Sequence, residues 1–164
     1  NIKEINIEKK EMASLIASAL NQHQGHKMRH LIVKYIKKHK IKIAVMGRGY
    51  KSFERKEDGL KSYKYSIIIE NSSENDYFTE KLIDACLLET VPIYWGAPNI
   101  SDYFDIRGFV ICKNIKEIKY AINTMNGKDY SSKKRWIKKN KQTALYHADF
   151  KKRAALIIKQ SIES

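Results

Sequence analysis

Short β-branched runs, each stopped by a glycine or a polar residue and separated by longer stretches of helical periodicity, restrict the folds open to this chain. Residues 41–46 (IKIAVM) stop at Gly47, 65–69 (YSIII) at Glu70-Asn71-Ser72, 91–95 (VPIYW) at Gly96, and 109–112 (FVIC) at Lys113. All are largely apolar, as strands buried on both faces of a parallel sheet are. Residues 12–20 read as a first strand: Ala and Leu favour helix there, but a polar, glycine-containing loop and a helical stretch follow. Helical patterns occupy 27–39, 77–89 and 114–125, and 130–162 read as two helices broken near His147. The expectation is an α/β fold, a Rossmann-like parallel sheet with flanking helices plus C-terminal helices, divided into residues 1–126 and 127–164. Ligands of such sheets sit beyond the carboxyl ends of the strands, here 21–27, 47–50, 70–76 and 96–99.

Charge narrows the function classes less than its size suggests. The 164 residues carry 32 basic and 18 acidic side chains, a formal net charge of +14. Residues 1–56 hold 14 basic and 4 acidic groups, 57–112 hold 4 and 10, and 113–164 hold 14 and 4, so two basic ends flank an acidic middle. A nucleic-acid binder shows such a surplus, and an anionic membrane surface attracts one. Yet 26 of the 32 cations are Lys, whereas recognition of phosphate by a fixed fork favours Arg. Most of the lysines therefore read as solvated faces, and no RNA-recognition, KH or helix-turn-helix pattern supports a nucleic-acid partner. No apolar run approaches the roughly 18 residues of a membrane span. Glu4, Glu8 and Glu11 stand where a secretory leader carries its basic start, so no leader is expected. Two cysteines without metal spacing, Cys86 and Cys112, point to a reducing, cytoplasmic compartment, with a single disulfide as the alternative.

The chemistry concentrates in residues 63–99 (YKYSIIIENSSENDYFTEKLIDACLLETVPIYWGAPN). A buried strand delivers Glu70 and Asn71 to its carboxyl edge, a polar loop follows, and a helix starts with Asp76 or Thr79 as N-cap. Free N–H groups and the positive dipole end of a helix suit a phosphate. Lys81 adds a full charge, and Glu80 can accept two ribose hydroxyls. The competing reading makes Glu80 and Lys81 ordinary surface residues of an amphipathic helix; the order strand, polar loop, capped helix, strand weighs against it. His23, His26 and His30 are loosely clustered, but Lys27 and Arg29 intervene and would repel a cation, so no metal is expected. The aromatic pair Tyr94 and Trp95 reads as core, and Trp136 among lysines reads as core or as a lipid-interface residue.

Glu70-Asn71-Ser72, then Asp76-Tyr77-Phe78-Thr79-Glu80-Lys81-Leu82, then Val91-Pro92-Ile93-Tyr94-Trp95-Gly96-Ala97-Pro98 resemble the signature of glycosyltransferase family 10, the α1,3/α1,4-fucosyltransferases, in its bacterial form. The likeness extends over about residues 12–125. It implies the C-terminal, donor-binding half of a GT-B enzyme, in which two Rossmann-like domains face each other across a cleft. By the family's pattern Lys81 and Arg29 contact the diphosphate of GDP-fucose, Glu80 holds the ribose, and Asn71 and Tyr77 line the same pocket. Arg48, in Gly47-Arg48-Gly49, and Glu70 are secondary candidates. The implied reaction is inverting transfer of L-fucose to a hydroxyl of an acceptor sugar, without a metal, with the general base in an N-terminal acceptor domain that 164 residues do not accommodate. A binding module, or a transferase using another GDP-sugar, is the alternative. The basic C-terminal helices would lie peripherally at the inner face of a membrane, near glycolipid acceptors.

Overall fold

Five strands, β1 (Glu11–Ile16), β2 (Ala44–Met46), β3 (Tyr63–Ile69), β4 (Val91–Trp95) and β5 (Val110–Ile111), pair in parallel in the order 2-1-3-4-5. The computed structural model describes residues 7–17, 20–52 and 54–163, with backbone alone for Lys56 and residues 150–163. Helices α1 (Gln24–Lys38), α2 (Glu80–Leu87), α3 (Ile115–Thr124), α4 (Gly127–Ser132) and α5 (Lys134–Glu163) complete the α/β architecture.

Side-chain alternation along the strands splits the core in two. Leu15, Ile67, Ile69, Ile93 and Trp95 pack with Ile32, Val33 and Ile36 of α1 and Ile118, Ala121 and Ile122 of α3. Ile68 and Tyr94 face the other way, against Leu82, Ile83 and Cys86 of α2 and Ala144 of α5. Ile67, Ile69, Ile93 and Leu82 are essentially inaccessible, and each such side chain contributes roughly 1.5–3 kcal/mol. The same alternation turns Glu70, one residue beyond β3, towards α2. Cys86 and Cys112 are both buried free thiols belonging to the two separate clusters, which removes the single-disulfide alternative.

Several boundaries differ from the sequence reading. The first strand ends at Ile16 rather than 20, and residues 18 and 19 of that expectation lie outside the described ones. Helix α2 begins at Glu80, three residues later than its periodicity suggests, because Thr79 is the N-cap and Phe78 is drawn sideways onto Tyr103, Phe104 and His147. The C-terminal break falls at Lys133, not near His147. Asn126 caps a separate short α4, whereas α5 contains no Gly or Pro and runs through His147, whose ring packs 5.6 Å from that of Phe104. Trp136 is neither core nor a free lipid anchor: it is half-buried, with the Arg107 guanidinium 3.5 Å from its ring centre. Three lysines of the basic face are ion-paired, Lys133 with Asp129, Lys139 with Asp105 and Lys141 with Glu89. Asn140, 2% exposed, exchanges two 2.9 Å hydrogen bonds with the Asp105 backbone and locks α5 to the sheet edge.

At the opposite end of the strands Lys9 donates to the carbonyls of Leu60 and Leu88 and to Thr90 Oγ1. Burial pushes its ammonium down to about 7 from 10.5; Glu89 opposes the shift, and Lys141 and Lys64 add to it. The folded chain thus gives up this proton before the unfolded chain does. Lys9 adds stability as pH climbs from about 7 towards 10.5, and it leaves the slope below 7 unchanged. Between pH 7 and 9, wild type should gain about 1–2 kcal/mol over Lys9→Met, allowing for partial solvent screening. Denaturant melts of both proteins across that range check this, and a constant difference would refute it.

Candidate functional site

A 2-1-3-4-5 sheet reverses its winding between β1 and β3, and the crevice at their carboxyl ends is where such folds take ligands. The chain leaving β1 enters α1 there, and the chain leaving β3 passes directly beneath it. Gly25 N–H donates to the Asn71 carbonyl at 2.9 Å, and a Cβ on Gly25 would overlap the Glu70 carbonyl oxygen. Only glycine permits this approach, which brings the first turns of α1 against Glu70 and Asn71.

Arg29 lies on the inner side of α1 and is 5% exposed. Its Nη2 donates to Asn71 Oδ1 at 2.7 Å. Its Nε is buried without any hydrogen-bond partner, the sole such side-chain atom among the described residues. Burial lowers the Arg29 pKa, and nearby Glu70 and Tyr77 oppose that shift. A guanidinium held this way lacks a full set of acceptors, which an anion entering the crevice would supply.

Glu70 is fully buried and fixes the start of α2. It accepts from Thr79 N at 3.0 Å and Thr79 Oγ1 at 2.8 Å, and Lys81 Nζ lies 3.5 Å from its Oε2. Lys81 is thereby aimed along the helix N-terminus. Tyr77 is half-buried in the preceding loop; burial first, then Glu70, Glu80 and Glu74, raise its pKa, while Arg29 lowers it. Glu80, at the first helical position, lines with Lys81, Asp84, Ile16, Leu60 and Ile68 a largely apolar cavity of about 140 Å³. Arg29, Asn71, Glu70, Tyr77, Glu80 and Lys81 thus share one edge of the sheet. Arg48 stands apart, exposed in the turn after β2, with β1 between it and β3.

Sequence reasoning missed what shapes the rim. Asp76, at φ 64°, accepts from Tyr103 O–H at 2.6 Å and Asn99 Nδ2 at 2.7 Å, and its own N–H donates to Asn99 Oδ1. Ser73 Oγ donates to the Gly96 carbonyl at 2.8 Å. These contacts pin the loop carrying Asn71 and Tyr77 onto the segment after β4. Among the described residues no group of three or more His, Cys, Asp and Glu is arranged to hold a metal ion. The His26 ring instead accepts backbone N–H groups at its Nδ1.

Sheet order and crevice place the chain in the doubly wound α/β class. It belongs to glycosyltransferase family 10: the model of that family's fucosyltransferase C-terminal region matches residues 6–156. The α-(1,3)-fucosyltransferase FucT of Helicobacter pylori is 37% identical over 75 residues, 46% of this chain and 16% of that protein. A fucosyltransferase-like protein of Arabidopsis thaliana is 26% identical over 79% of this chain and 27% of its own length. A crystal structure of an α1,3-fucosyltransferase with GDP-fucose superposes with a TM-score of 0.60 at 28% identity, over 77% of this chain and 38% of that one. The chain therefore spans well under half the length of these relatives.

Proposed function

We propose that this chain is the GDP-fucose-binding half of a GT-B fucosyltransferase, residues 1–126 forming the donor domain and 127–164 helices packed on it. One observation carries the reading: a buried guanidinium, Arg29, with an unsatisfied Nε at the topological switch point. Arg29 and Lys81 take the diphosphate, Glu80 the ribose hydroxyls, and Asn71 and Tyr77 the walls. Glu70 acts indirectly, by setting Lys81 and the start of α2, and Arg48 is left a subsidiary role at the pocket's margin. In the inverting step an acceptor-sugar hydroxyl attacks the anomeric carbon from the face opposite GDP. The bond from that carbon to the β-phosphate oxygen breaks as the new glycosidic bond forms. A base from the acceptor-binding half takes the hydroxyl proton, and the two cations stabilise the charge gathering on GDP. No metal is required for that stabilisation. No described helix is long and apolar enough to cross a membrane; a peripheral contact of this chain with a membrane surface would run through α5 lysines such as Lys134 and Lys138.

Thermal shift tests the proposal. GDP at about a hundredfold over its Kd should stabilise the chain by about 2.7 kcal/mol, a rise of about 5–10 °C, and Lys81→Ala should abolish it. GDP-fucose should exceed GDP-mannose and UDP-sugars. Equal ranking would favour the alternative of another GDP-sugar, and no shift at millimolar GDP would overturn the reading.

A further inference from the structure

Helix α1 buries one further polar side chain besides Arg29. His26 is 5% exposed on the first turn of α1, one helical turn before Arg29. Its Nδ1 accepts from two backbone N–H groups, Gln22 at 3.2 Å and His23 at 3.3 Å. An Nδ1 that accepts cannot carry the proton, so the neutral ring bears its hydrogen on Nε2. The ring's hydrogen bonds to described residues all fall on Nδ1. The ring is thus fixed from behind by the loop, with a donor left over on its far side.

We propose that His26 is a third donor to the anion in this crevice: its Nε2–H donates to a non-bridging oxygen of the diphosphate, between Arg29 on its own helix and Lys81 on α2. This rests on the GDP-binding reading above and adds a residue to it. Burial lowers the His26 pKa, and the charges of Arg29, His23, Lys81 and His30 lower it further. A neutral donor suits the place. A third full charge beside two cations would have to be desolvated against their repulsion, whereas a preorganised N–H satisfies one more phosphate oxygen without that cost.

Two substitutions separate this role from simple loop capping. Asn at position 26 keeps an acceptor near Nδ1 and removes the distal donor; Gln reaches the distal position with an amide N–H. Calorimetric titration of the 164-residue chain with GDP should show His26→Asn binding about tenfold more weakly, with an unchanged melting temperature, and His26→Gln within about threefold of wild type. Nitrogen-15 NMR of wild type should show the Nε2–H tautomer in the neutral ring, with the Nε2 proton protected from exchange once GDP is added. If His26→Asn binds GDP as wild type does while Lys81→Ala does not, His26 is a loop cap, and this inference falls while the donor site stands. If wild type itself fails to bind GDP, the donor-site reading falls and takes this inference with it.

Discussion

Arg29→Met should leave the ligand-free chain at least as stable as wild type while lowering its GDP affinity by about a hundredfold. The fold holds this guanidinium at 5% exposure with one short hydrogen bond, to Asn71 Oδ1, and an orphaned Nε. Removing a buried unsatisfied donor recovers part of a penalty of about 1–3 kcal/mol, and Met refills much of the volume. Burial depresses the Arg29 pKa, which is the same statement in other terms: the fold disfavours the charge it contains. The loss in binding follows from charge-assisted hydrogen bonds, each worth about 1.5–3 kcal/mol. Urea melts and GDP titrations check both halves. A variant that is strongly destabilised, or that binds GDP normally, would show Arg29 to be structural.

Gly25→Ala should cost about 3 kcal/mol or more and take the GDP response with it. The methyl would fall on the Glu70 carbonyl oxygen, and the obstacle is backbone on both sides. Relief means separating Gly25 N–H from the Asn71 carbonyl, hence moving α1 off the end of β3. Arg29 rides on that helix and Asn71 on that strand end, so the displacement would open the pocket as it strains the fold. Chemical denaturation and thermal shift on the same sample measure the two effects. A fully stable Gly25→Ala that still answers to GDP would refute the tight crossing.

The parts of this architecture visible in the sequence are those fixed by local composition. Residues 91–95 are buried on every side and are a strand in full, and the paired patterns around residues 65–69 and 80–87 follow from short-range periodicity. β2 and β5 shrink to three and two residues because the sheet ends there and too few partners remain to extend them. The 2-1-3-4-5 order, and with it the crevice between β1 and β3, depends on pairings between distant segments that no window of sequence contains. The same holds for the site. Arg29 and Asn71 are 42 residues apart, and Asp76 meets Asn99 and Tyr103 from 23 and 27 residues away. A resemblance supplied the first pair; nothing in the residues announced the second set. The break expected near His147 failed for a related reason: histidine costs a helix little, and the contacts that hold it there, with Phe78, Tyr103 and Phe104, come from distant segments.

The clasp of Asp76 by Asn99 and Tyr103 also bears on how the crevice keeps its shape. The wall carrying Asn71 and Tyr77 is braced from within this chain, by the segment after β4. On the proposed donor reading, a nucleotide pocket whose wall is held this way keeps its shape in the 164-residue chain by itself, and GDP binding can be read there without an acceptor-binding half.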